Sequence, residues 1–432
     1  MSGDDWKQEL IALSPSQLHV GDVLRFTLRD ETGRVLLAKG LKIEDQKALE
    51  QLQRRRSVFV EYEESDEAIK VLMGGLSEAS RRDAPLKDLD RFVSLKATDK
   101  ETPGAAVIEG SVPQNWSEIE SRLRVQLANL ALGGTAAVEA VPRLDTQVSR
   151  PIDTLLTRDR EAALFLLIHR AVTSYSGYSA LHSLLTAVVC HVLVAPLKLS
   201  PEEDRSLLHA ALTMNVAMTN LQDGLATQKG RPTPTQQAQI DRHPLEGARL
   251  LQAAGVKDPV WLGIVLKHHQ DLPGGVTLAQ RPVIDRLARI LQVVDRYTAA
   301  MSPRVSRAGR DAKDAARSAI VQPGASSHDE VGLALMMQLG LHPAGTFVKL
   351  ASGETAVVLR KGNKPNEPLV ATVLNKRDEP IAEPRLINTA KPDHAVVHGV
   401  SGSGVRVRLN LDQMLRQLAS SKTGTDRGLG LF

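Results

Sequence analysis

From Arg160 to Met301 the apolar residues recur at helical spacing, and after Pro343 they recur at the spacing of strands. Helices gathered in one stretch and strands in another describe an α+β chain of separate modules, not an alternating βαβ sheet. At 432 residues, the length allows about three domains. The expected fold is multidomain α+β: a central all-α domain flanked by a small N-terminal α+β module and a C-terminal β-rich region.

Local signals set the boundaries. Residues 7–64 read as the N-terminal module. Arg25-Phe26-Thr27-Leu28 and Val35-Leu36-Leu37 are strands about an Asp30-Glu31-Thr32-Gly33 turn, followed by a helix over 44–53 and a strand at Val58-Phe59-Val60. Residues 65–115, with Gly74-Gly75, Pro85 and Pro103-Gly104, read as a linker carrying a short helix near 68–73. Residues 116–149 hold a connecting helix over 116–132, ended by Gly133-Gly134. Residues 150–325 form the helical domain, with helices over 160–173, 181–194, 259–270 and 284–301. Ser200-Pro201-Glu202-Glu203 and Thr233-Pro234 start two more, since a hydroxyl caps the first turn and proline suits its first position. His243-Pro244 is expected to break a helix, because proline disfavours helix in the residue before it. Residues 343–400 supply strands over 346–350 and 355–360 about a Ser352-Gly353-Glu354 turn, then 369–375 and 395–398. Residues 401–432 are expected as a helix over 409–418 and a loose tail.

Composition excludes several classes. Apolar residues at 42% and charged residues at 24% suit a globular chain, and exclude collagenous, disordered and disulfide-framework sequences. Aromatics are 3%, so the cores must be built from Leu, Val, Ile and Ala. The 54 basic residues against 50 acidic ones give a charge of +4, spread along the chain. Arg54-Arg55-Arg56 and the arginines of 304–310 are not interleaved with aromatics, so no nucleic-acid partner is expected. The richest apolar stretch, 184–197, is interrupted by His191 and Pro196, and falls short of the about 20 residues a bilayer needs. The N-terminus lacks the order of a secretory signal, so the expectation is a cytoplasmic protein with no membrane span. Cys190, among Val188, Val189 and Val192, is expected to be a buried structural thiol.

The polar residues that carry chemistry lie on or beside apolar helical stretches: His182, His243, His268, His269 and Asp295. A buried Asp295 needs a metal, a histidine or an arginine such as Arg289 beside it. A lone histidine on an apolar face, as at His182 or His191, is ordinarily a hydrogen-bonded core residue. Adjacent helical residues point about 100° apart, so His268-His269 alone is a weak metal signal. The set across four helices is the informative feature.

The order His182, His243-Pro244-Leu245-Glu246-Gly247, His268-His269 and the run from Ala288 through Asp295 to Met301 resembles the HD-GYP family over residues 175–310. The N-terminal module is similar to one that often precedes HD-GYP domains. The resemblance implies an HD-type helical domain, a bacterial cytoplasmic signalling protein and a metal-dependent phosphodiesterase chemistry directed at cyclic di-GMP. It also implies a His-Asp pair at the end of the helix from Pro201, where this chain has Met214-Asn215. Met218 replaces a lysine, Gln270 replaces a glutamate, and Asp271-Leu272-Pro273-Gly274-Gly275 stands in place of the Gly-Tyr-Pro loop. Tyr178 stands where some members have a glutamate.

In the family that aspartate bridges two metals, which together activate a water and clamp the phosphate. Asn215 is neutral and cannot balance two divalent ions, and the Met214 thioether is a poor ligand for Fe, Mn or Mg. The expectation is a pseudoenzyme: a non-catalytic HD-GYP-like signalling or scaffold protein that binds a protein partner. His243, His268 and His269 would hold a single Zn, Fe or Mn ion as a remnant, with His182 and Asp295 as a second half-site or paired with each other. The alternatives are an active metal-dependent cyclic di-GMP phosphodiesterase using all five residues, and a non-hydrolysing cyclic di-GMP sensor in which Arg289, Arg304 or Arg307 meets phosphate.

Overall fold

A computed structural model of the chain describes residues 110–270, 276–320 and 329–426, with 10–13, 20, 27–29, 35–37, 50 and 58–61 ahead of them. The chain divides into two units, Met1–Ala105 and Ala106–Phe432. In the first, β1 (Leu10–Leu13), β2 (Leu28–Arg29), β3 (Val35–Leu37) and β4 (Val58–Glu61) form an antiparallel sheet in the order β1-β4-β2-β3. The strands β2, β3 and β4 fall where alternation predicts them, and β1 is additional. The turn at 30–33, the arginines at 54–56, the helix near 68–73 and the helix over 44–53 apart from Glu50 lie outside the described residues, as does the loop 271–275.

The second unit opens with α1 (Val112–Leu132), which starts four residues ahead of the expected helix because Ser111 and Gln114 close its first turn, the Ser111 N–H donating to Gln114 Oε1 at 2.9 Å. Gly133, at φ 77°, ends it, and α2 (Gly134–Leu144) follows directly. A π turn over Asp145–Ser149 leads into α3 (Arg150–Thr173). Asp159 interrupts α3 with φ −157° and accepts the Ala162 N–H, so the helix expected from residue 160 is its second half. Next come α4 (Tyr178–Val192), α5 (Pro201–Thr213), α6 (Thr219–Thr227), α7 (Pro234–Ala253), α8 (Pro259–Lys267), α9 (Val283–Met301), α10 (Ala312–Ile320) and α11 (Glu330–Leu339). Ser200, Thr233 and Asp258 cap α5, α7 and α8 with side-chain oxygens, as their sequence positions dictate.

The expected break at His243-Pro244 is not there: α7 runs through it. Proline has no N–H for the Ile240 carbonyl four residues back. That carbonyl accepts the His243 Nδ1–H instead, which offsets the lost rung.

The strands β5 (Phe347–Leu350), β6 (Thr355–Arg360), β7 (Leu369–Leu374), β8 (Leu386–Asn388) and β9 (Val396–Val400) form an antiparallel sheet in the order β8-β7-β6-β5-β9. The last helix, α12 (Leu411–Asp426), extends beyond the expected end at 418 into what reads as tail. One face of the sheet, through Phe347, Val357, Leu359, Ala371 and Val373, joins the same buried cluster as the helices. Met414 and Leu418 of α12 close that cluster together with Trp116 of α1. The connecting helix, helical domain and β-rich region expected as separate pieces therefore share one interior. Gly345, at φ +87°, makes the joint: a Cβ there would lie 2.5 Å from the His169 nitrogen and the Phe165 oxygen of α3.

Cys190 is buried, as expected, and burial pushes its thiol up. No helix among the described residues is long and apolar enough to cross a membrane.

Candidate metal centre

Two groups of side chains meet where α4, α7, α8 and α9 converge. On the first side, His182 of α4 donates through Nε2 to Asp295 Oδ1 of α9 at 2.8 Å. The Thr186 and Thr298 hydroxyls, about one turn further along each helix, meet at 3.0 Å and fix the same register. Burial alone would raise the Asp295 carboxyl; the His182 hydrogen bond and charge, with His269 and His268 behind them, hold it below the usual carboxylate range. Arg289 is not its partner, because that guanidinium is tied to Asp329 and Gln292. The His182 Nδ1 on the other side of the ring is buried and has no partner. Tyr178 stacks on the His182 ring at 5.4 Å, where the family pattern has a glutamate in some members.

On the second side, both histidines spend Nδ1 on backbone carbonyls. His243 donates to Ile240, and His268 donates to Val265 at 2.7 Å. Each Nε2 is left with a lone pair, and the two atoms stand 3.1 Å apart. Two facing acceptors cannot bond each other; a shared cation resolves them. Tetrahedral zinc with nitrogen ligands separates them by about 3.3 Å, so the spacing fits. Burial foremost lowers His243 to about 4 and His268 to about 3, so both are neutral, as ligation requires.

The third imidazole arrives by a departure from the expected helix. α8 ends at Lys267, not 270, so His268 and His269 leave the regular 100° stagger. Their ring centroids are 4.2 Å apart, and His243 lies 5.1 Å from each. The three ligand atoms fall within 4.8 Å of one another, with His243 and His268 buried and His269 exposed.

Met214 and Asn215 follow α5 in a buried turn. Gly247, one turn after His243, packs against it: a Cβ there would lie 3.7 Å from the Met214 oxygen and 3.5 Å from Val216. Asn215 Oδ1 is buried and unpartnered. The bare Nε2 atoms of His243 and His268 thus suit a cation, and the Asn215 amide brings no charge to the turn after α5. The Met218 residue sits in a short 3-10 turn, and the Gln270 side chain is exposed while its carbonyl accepts from Gln292 at 3.0 Å. Arg304 stands over the Tyr178 ring at 5.1 Å, and Arg307 donates to the Ala299 carbonyl at 2.8 Å. His191, expected as a core histidine, is half-buried and bonded to Asp204 at 3.0 Å.

The chain is similar to the cyclic di-GMP phosphodiesterase PA4108 of Pseudomonas aeruginosa, with 26% identity over 345 residues, covering 76% of this chain and 82% of that protein. That similarity supports the resemblance to the HD-GYP family carried by the sequence. No family model matches it, and no solved structure matches it. All five histidine and aspartate positions expected for an HD-GYP-like site, His182, His243, His268, His269 and Asp295, do gather in one electrostatic neighbourhood. The sequence reading missed the part played by Pro244. Its signal was present: a proline inside a helix frees the carbonyl four residues back, which places that carbonyl beside the histidine preceding the proline.

Proposed function

We propose that this HD-GYP-like chain works in cyclic di-GMP-related regulation as a non-hydrolysing component that holds one transition-metal ion through His243, His268 and His269. The observation that carries the reading is the pair of bare Nε2 atoms 3.1 Å apart, in a chain whose residue 215 is a neutral amide. Imidazoles suit Zn or Fe better than Mn, and three of them leave a coordination position for water. When bound, such an ion supplies Lewis acidity. The chain's own residues orient and dehydrate: backbone carbonyls fix the His243 and His268 tautomers, and His182 hydrogen-bonds one Asp295 oxygen. With a neutral amide at residue 215, no carboxylate there bridges a second divalent ion. On this reading the output passes to a protein partner, and cyclic di-GMP is a ligand and not a substrate.

The test is metal analysis of the purified chain together with a cyclic di-GMP hydrolysis assay in Mn²⁺ or Fe²⁺. One bound equivalent, lost in His268→Gln, with no turnover, is expected. Less than about half an equivalent removes the metal site. Turnover that disappears in His268→Gln establishes the phosphodiesterase reading in place of this one.

A further inference from the structure

A second polar concavity lies away from the histidines, between α5 and the junction of α2 with α3. It is a cleft of about 370 Å³, large enough for a small organic molecule. The π turn makes one wall. Its widened ring, closed by the Arg150 N–H on the Asp145 carbonyl, leads into α3 so that Asp145, Ser149 and Asp153 fall at four-residue intervals along one face. Asp204, Arg205, Leu208 and His209 of α5 make the other wall.

Some of these groups are already satisfied. Asp145 pairs with Arg150 at 2.8 Å, Asp204 accepts from His191 at 3.0 Å, and His209 stacks on Trp261 at 4.7 Å. Two are not. Ser149 is 4% exposed, lines the cleft, and its Oγ has no partner. A buried hydroxyl in that state costs stability until something meets it. Asp153 has its nearest cation, the His191 imidazole, at 3.9 Å. Its carboxyl is raised, by burial first and then by the charges of Asp204 and Asp145 against the pull of His191. The three carboxylates of the lining, Asp145, Asp153 and Asp204, outnumber its two guanidiniums, Arg150 and Arg205. They do not converge on a single ion: among the described residues, the one group able to do so is the His243 trio.

We propose that this cleft binds a small aliphatic amine, its ammonium seated between the Asp153 carboxylate and the Ser149 hydroxyl. The volume exceeds that of a bare ion, and the loosely paired Asp153 carboxylate and the unpartnered Ser149 hydroxyl both accept hydrogen bonds from an ammonium. Arg205, exposed at the rim, offers a counterion to a ligand that also carries a carboxylate. The proposal does not depend on the metal centre.

Titration calorimetry on the full chain with putrescine and with L-ornithine tests it, with glutarate and Mg²⁺ as the other arms. Saturable binding of either amine at millimolar concentration or below is expected, weakened about tenfold or more in Asp153→Asn and severalfold in Ser149→Ala. Asp153 is half exposed, so its variant keeps the fold; Asp412→Asn, on α12, serves as the remote acidic control and leaves binding unchanged. Preference for ornithine upholds the site and assigns its carboxylate to Arg205. Absence of saturable binding by both amines, equal binding by Asp153→Asn, or preferential binding of glutarate or Mg²⁺ overturns it.

Discussion

Pro244 sets which nitrogen of His243 faces inward. The carbonyl it cannot bond is the one that holds His243 Nδ1–H, so the helix defect and the tautomer have a common origin. In Pro244→Ala the restored N–H competes for Ile240. Helix stability should rise, since an interior proline costs about 3 kcal/mol, while metal affinity should fall about 10- to 100-fold, as when an outer hydrogen-bond partner is removed. Urea unfolding and chelator competition read the two effects separately. Protonation gives a second test at this scale. His169 donates to the Gly345 carbonyl, and burial foremost lowers it to about 4. Between about pH 6.5 and pH 4 the unfolded chain binds protons that the folded chain excludes, so stability is full above that window and falls as the pH drops through it. The gap corresponds to about 3 kcal/mol for this one residue. His169→Asn keeps a donor for Gly345 but cannot titrate, so the slope of unfolding free energy against pH should flatten there. Asp295 works lower down: its depressed carboxyl contributes stability above about pH 3.9, lost on further acidification. The site residues themselves were legible as a spaced set. Their division into a His182–Asp295 pair and an imidazole trio came from the family resemblance; which nitrogen of each histidine faces inward did not, because it depends on helix ends and freed carbonyls that spacing does not encode.

At the level of elements, legibility followed the strength of local chemistry. Ser200, Thr233 and the Ser352-Gly353-Glu354 turn announce their elements by hydrogen bonds made within a few residues. The helices α2, α10 and α11 were not foreseen: α2 begins directly at a glycine pair that reads as punctuation, and α11 is capped by an aspartate that also receives the distant Arg289. Tertiary partners of that kind override propensity. The docking of the sheet on α3 supplies a prediction. Gly345→Ala should cost about 2–4 kcal/mol, combining the strain of a positive φ with overpacking against α3 backbone. Gly255→Ala, at φ +91° with nothing within 4 Å, should show the strain alone, about 1 kcal/mol. Paired urea denaturation curves decide between the two costs.

For the whole molecule, the period change after Pro343 correctly separated helices from strands but did not separate interiors. Alternation shows that a strand has a buried face without showing what buries it; here α1, α3 and the sheet share the answer. Met414→Ala, far along the chain from the helical stretch, should therefore lower the cooperative melting transition of the entire second unit, at a cost of about 2–5 kcal/mol, and not release a local segment. An unshifted main transition, with α12 melting separately ahead of it, would contradict the shared interior. The same architecture bears on synthesis. Trp116 and Leu418 lie about 300 residues apart yet seal one apolar volume. At about 5–20 residues per second, the ribosome delivers the second long after the first. For something like 15–60 s, each nascent copy must carry greasy, unsealed helices through a crowded cell, and that interval makes it a client for whatever shelters unfinished chains.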